Sequence, residues 1–173
     1  QPVLPAPQPV LPIVPVVPTP QPVPIPIRNG KLTVTVDDQI QRVTVNGVAV
    51  NLNLFPNRNL YRTLDTVNLP LKQGDVIAIL GVNVGTYSTG NPGYLNAEVL
   101  YFDQNNVQQR IVSDTKNWKC YEFNTTTMQR VDAGTVCSYG TNPYGYQSLI
   151  PTSEWIWSCK LPSSAVECEV QLV

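Results

Sequence analysis

Eleven prolines fall within the first 26 residues, at positions 2, 5, 7, 9, 12, 15, 18, 20, 22, 24 and 26, out of 17 in a chain of 173. No other feature restricts the chain so severely. Each ring holds φ near −65° and removes a backbone donor, so this stretch is closed to helix and to the middle of a sheet. Extended chain of polyproline II or edge-strand type is what remains. Between the prolines stand Val, Ile, Leu, Ala, Gln and Thr, with neither glycine nor charge before Arg28. Disordered linkers are polar, whereas this arm is oily, which favours an arm that docks over one that floats.

The arm carries two rhythms. Pro9, Pro12, Pro15 and Pro18 recur every third residue and stack on one side of a three-fold polyproline helix. Pro18, Pro20, Pro22, Pro24 and Pro26 then alternate with Thr19, Gln21, Val23, Ile25 and Ile27. In an extended strand the backbone groups of alternate residues point the same way, so these prolines strip the donors from one lateral edge only. Such a strand completes a sheet edge without offering a new one. Fully extended, the arm reaches about 80 Å, against about 30 Å for the width of the remaining domain.

From Lys31 the pattern changes to strands. Lys31–Val36 and Arg42–Val45 alternate polar with β-branched residues, and Asn46-Gly47 is the preferred two-residue hairpin turn before a strand over 48–52. Gln73-Gly74-Asp75 turns into the apolar run Val76–Leu80, and a loop over 85–93 leads to a strand at Tyr94–Phe102. The turn 103–106 feeds a strand to Val112, and Trp155–Trp157 and Val166–Val173 close the chain. Helical periodicity is missing. Short strands separated by turn signals predict an all-β antiparallel sandwich over 31–173, preceded by an extended arm over 1–30.

Composition narrows the function. The formal net charge is −1, with 13% charged residues and no basic cluster, so the counterion release that drives nucleic-acid binding has no footing. No proline-free apolar run reaches the length of a membrane span. The chain opens at Gln1 without a Met or a leader pattern, which reads as a mature secreted chain. Cys120, Cys137, Cys159 and Cys168 lack zinc-site spacing, and histidine is absent. An even cysteine count in such a chain reads as two disulfides. Cys120–Cys137 with Cys159–Cys168 is the favoured pairing, since each closes a short segment; Cys120–Cys168 with Cys137–Cys159 is the runner-up.

The order of landmarks carries a resemblance. Asp37-Asp38 and Val43-Thr-Val-Asn-Gly47 precede Leu71-Lys-Gln-Gly-Asp-Val-Ile-Ala-Ile79. Asn83 and Gly85 lead to Gly93-Tyr-Leu-Asn-Ala-Glu-Val99, then to Ile111-Val-Ser-Asp-Thr115, Trp118-Lys-Cys120, Trp155-Ile-Trp157 and Val166-Glu-Cys168. This series resembles the galactose-binding-like jelly roll of extracellular and carbohydrate-active proteins, with 121–150 and the arm outside the pattern. The resemblance implies an eight-stranded jelly-roll sandwich, usually non-catalytic, that often holds glycans in loops at one rim.

Without histidine there is no Ser-His-Asp or Cys-His pair. Asp37, Asp38, Glu98, Asp103, Asp114 and Glu154 are carboxylates of the kind a glycosidase would pair, but turn and strand-end positions account for them better. No catalytic residue is expected. Tyr87, Tyr94, Tyr139, Asn142, Tyr144 and Tyr146 lie in or beside Gly/Asn-rich loops and form a candidate glycan site, aromatic faces stacking on sugar C–H surfaces. Trp118, Trp155 and Trp157 read as core. No cofactor or metal is expected; Ca²⁺ is the one ion that Asp37, Asp38 and Asp103 would suit. Asn124-Thr-Thr126 is an N-glycosylation sequon. Two functions are expected from this. The first is a secreted structural subunit that polymerises by docking Pro9, Pro12, Pro15, Pro18, Pro20, Pro22, Val23, Pro24, Ile25, Pro26 and Ile27 on a neighbouring copy. The alternative is a carbohydrate-binding module or lectin whose arm is a spacer.

Overall fold

The computed structural model describes residues 29–60, 63–85, 93–131, 134–140, 149–159 and 164–173. Two antiparallel sheets pack face to face. The alternation in β1 (Gly30–Asp37) turns Leu32, Val34 and Val36 into the core, as period-2 geometry requires. Only Asp38 separates β1 from β2 (Gln39–Val45), yet the two strands belong to different sheets. The chain crosses between layers at this corner, which the Asp38 carboxylate pins by accepting the Val84 N–H at 2.7 Å.

The remaining strands are β3 (Val48–Ala49), β4 (Asp65–Leu69), β5 (Val76–Val82), β6 (Tyr94–Phe102), β7 (Gln108–Val112) and β8 (Trp118–Asn124). They continue with β9 (Gln129–Arg130), β10 (Val136–Ser138), β11 (Ile156–Ser158) and β12 (Ala165–Gln171). The first sheet runs β10-β11-β6-β1-β4 with β7 also on β6; the second runs β3-β2-β5-β12-β8-β9. Between them lies one core that includes Val43, Ile77, Ile79, Leu95, Val99, Trp118, Val166 and Val170.

Asn46 and Gly47 both adopt positive φ, 52° and 77°, as the predicted hairpin turn demands. The Asn46 amide locks that turn to the next one, donating to Asp75 Oδ1 at 2.8 Å and accepting the Val76 N–H at 2.9 Å. The strand predicted over 48–52 stops at Ala49. There the Asn51 side chain accepts the Asn53 N–H and starts a single 3₁₀ turn, Leu52–Leu54, a local bond that competes with the ladder.

The disulfides correct the favoured pairing. They join Cys120 to Cys168 and Cys137 to Cys159. The reason is register: β8 pairs with β12, not with β10, and Cys168 falls directly opposite Cys120, 4.0 Å apart at Cα. All three tryptophans are buried, as expected.

A polar clasp fills the notch on β6 between β7 and β11. Asn96 donates to Ser153 Oγ at 2.7 Å and to the Glu154 carbonyl at 3.2 Å, and Ser113 Oγ donates to that carbonyl at 2.6 Å. Segment 150–155 is thereby held against β6.

Candidate assembly edge

Sheet edges decide whether a sandwich can recruit another chain, because an edge strand presents unpaired N–H and C=O groups. The second sheet ends on two-residue strands, β3 and β9. In the first sheet β10 has three residues, and β7 has five. The far side of β7 is partly used: the Trp118 indole N–H donates to the Val112 carbonyl at 3.0 Å. Arg110 stands on the same strand, bonded to Glu98, Thr152 and the Pro151 carbonyl. The far edge of β4 has no paired strand among the described residues.

The orientation of β4 follows from one residue. Ala97 receives the Ser113 N–H on its carbonyl at 2.8 Å and donates its own N–H to Ser113 Oγ, so both groups point away from β1. Alternation then turns Asn96 and Glu98 toward β1, opposite Thr35 and Thr33. Leu32 and Val34 must therefore face β4, opposite Val67 and Asp65. Thr66 and Asn68 carry the outward N–H and C=O groups, and both side chains are exposed. The 3.3 Å contact between the Thr33 and Thr66 hydroxyls fits the closer, non-hydrogen-bonded kind of pair.

Of the glycan-site residues, Tyr94 and Tyr139 lie among the described residues, and they pack against each other. Tyr94 is 2% exposed, and its ring lies 4.8 Å from that of Tyr139 and 6.2 Å from that of Trp155. Tyr139 donates its hydroxyl to the Ser158 carbonyl at 3.3 Å. These two rings are packed on protein, because β6 carries Tyr94 against Tyr139 and Trp155. Tyr87, Asn142, Tyr144 and Tyr146 lie outside the described residues, as do all eleven arm positions named above.

The calcium grouping is also corrected. Asp37 pairs with Tyr94 at the start of β6, and Asp103 follows its end, roughly 30 Å away at strand spacing. The half-buried Asp103 carboxylate is held below its ordinary pKa by the Val107 N–H, then by Gln109 and the Asn105 N–H. Among the described residues no three acidic or sulfur groups converge on a metal-sized site. Asn124 is exposed at the β8–β9 turn, its Oδ1 accepting the Thr126 and Thr127 N–H groups at 2.9 Å.

One constellation escaped the sequence reading. On the face of the second sheet turned from the core, register aligns Arg42, Leu80, Glu167 and Tyr121 in one row across four strands. Glu167, 5% exposed, accepts Arg42 at 2.5 Å and Arg130 at 2.6 Å. Arg130 also reaches Glu169 at 2.5 Å, and the Tyr121 hydroxyl donates to Glu169 at 2.7 Å. The two guanidinium groups lie over rings, Arg42 at 4.8 Å from Phe123 and Arg130 at 3.9 Å from Tyr121. The local signal was the alternation of Glu167 and Glu169 with apolar residues in β12; the arginines come from distant strands. With its carboxylates paired and its rings covered, the network ties strands together.

Desolvation alone would raise the Glu169 pKa, but the hydrogen bonds from Arg130 and Tyr121, with the Arg130 charge, outweigh it and hold the group below its usual value. A depressed folded-state pKa contributes stability that is present above the unfolded value and lost as pH falls through the folded one. Melting temperature followed across the acid range should therefore drop below the ordinary carboxylate range, with a shallower drop in Glu169→Gln. Identical acid slopes in the two proteins would refute this role.

No family model matches the chain, and neither a curated protein nor a solved structure matches it.

Proposed function

We propose that the chain is a secreted, non-enzymatic structural subunit that self-assembles outside the cell, its proline-rich arm docking on the sandwich of a neighbouring copy. The observation that carries this reading is a pairing of opposites: a stretch from Pro18 to Ile27 whose alternating prolines leave donors on one lateral side of an extended chain, attached to a sandwich whose β4 edge has no paired strand among the described residues. A strand added to such an edge gains backbone hydrogen bonds for its whole length. The prolines then face outward and end the sheet. Because donor and acceptor are different surfaces of one chain, the contact is heterologous and propagates into a filament or matrix. The two disulfides accord with an oxidising compartment.

Deleting residues 1–27 tests the proposal. Native light scattering should show the assembled particle of the full chain reduced to a monomer. A particle of unchanged size would reject arm-mediated assembly. The carbohydrate-binding alternative, with the jelly-roll resemblance, would rest on Tyr87, Asn142, Tyr144 and Tyr146, because Tyr94 and Tyr139 pack against each other.

A further inference from the structure

We infer that the acceptor for the arm is the outer edge of β4, through the backbones of Thr66 and Asn68, and that its occupant is segment 18–22 of a second copy, added antiparallel with Gln21 opposite Thr66 and Thr19 opposite Asn68. This rests on the assembly reading and names its partner surface.

The match is one of backbone and side chain together. In antiparallel pairing, opposed residues share a face. Thr19 and Gln21 then join Thr66 and Asn68 on the polar outer face, offering N–H and C=O groups to theirs. Pro18 and Pro20 fall opposite Leu69 and Val67, both buried on the core side of β4, so their rings extend the apolar layer; Pro22 falls opposite the buried Asp65. No donor is left on the new outer edge. The other five-residue edge strand, β7, fits worse, since the Trp118 indole occupies its Val112 carbonyl and Arg110 places a charge there.

A chain cannot easily serve itself. No glycine, asparagine or aspartate precedes Arg28, so the arm lacks a residue suited to reversing its direction. A reversal at Asn29 would lay the arm along β1, and both edges of β1 are already paired, with β4 and β6. The eight steps from Pro22 to Gly30 carry the docking segment about 25 Å away when extended. A second molecule's β4 is what it meets.

Two measurements on the full chain test this. Asn68→Pro removes an N–H that points away from β1, so the fold tolerates it. Its circular dichroism melt should match the wild type, while the concentration for half-association rises about tenfold or more, as the loss of one or two hydrogen bonds and a steric match predicts; Gln108→Pro on β7 should leave association unchanged. In the second, chains carrying only Gln21→Cys are mixed with chains carrying only Thr66→Cys and oxidised, and a disulfide-linked heterodimer should form on a non-reducing gel, absent when Gln108→Cys replaces Thr66→Cys. If association survives Asn68→Pro and no heterodimer forms, yet deletion of 1–27 abolishes assembly, the acceptor is another surface and this inference falls alone. A cross-link that forms only when both cysteines sit in one chain also overturns it. If the deletion changes nothing, the assembly reading falls with it.

Discussion

Replacing Trp157 with alanine should lower the unfolding free energy by about 3–5 kcal/mol, the range for emptying a large buried aromatic site. The ring is fully buried and sits in a slot that two glycines make for it. A Cβ on Gly93 would stand 2.8 Å from the indole, and one on Gly81 would stand 2.9 Å from it and 2.7 Å from Val36 Cγ1. Those approaches are too short for any side chain, so the glycines exist to admit the ring. The slot cannot collapse readily, because its walls are backbone of β5 and the entry to β6. Gly81→Ala should be destabilising for the converse reason, forcing either Val36 or Trp157 aside. Urea titration followed by far-ultraviolet circular dichroism measures both. A Trp157→Ala loss below about 1 kcal/mol would show that the site relaxes and that the ring is not a keystone.

The second large effect concerns the disulfides, and the two should differ. Cys120 and Cys168 are 48 residues apart and Cys137 and Cys159 are 22 apart. Loop-closure entropy then assigns about 4 kcal/mol to the first bridge and about 3.4 kcal/mol to the second. Both sulfurs of the first bridge are buried in the core, so paired replacement by alanine also leaves a small void there. We expect calorimetric melting temperatures in the order wild type, then Cys137→Ala/Cys159→Ala, then Cys120→Ala/Cys168→Ala. The reverse order would mean that strain or residual structure in the unfolded chain outweighs loop length. In reducing buffer the full chain should approach the sum of the two losses.

These predictions rest on features that were legible to different degrees. Strands with plain alternation, β1 and β2 above all, could be read directly, since side-chain facing is a property of the strand itself. The Asn46-Gly47 turn was equally plain, because its positive φ values are a demand on single residues. β4 and β8 were not assigned from sequence. Asp65-Thr-Val-Asn-Leu69 is short and half polar, and becomes a strand only because β1 offers it an edge. Tyr94 shows the same limit at a candidate site. Its place beside a Gly/Asn-rich loop suggested a ligand platform, but its burial depends on Tyr139 and Trp155, 45 and more residues downstream.

What the amino-acid sequence determined by itself was local: an arm barred from helix and from sheet interiors, alternating strands, tight turns, and cysteines in even number. Each follows from the dihedral and donor properties of residues taken one or two at a time. The tertiary structure alone decided which strands lie side by side, and with that the Cys120–Cys168 bridge, the Arg42–Glu167–Arg130 network and the place of β4 at the end of its sheet among the described residues. Those depend on register between segments dozens of residues apart, and register is set by how the whole core packs.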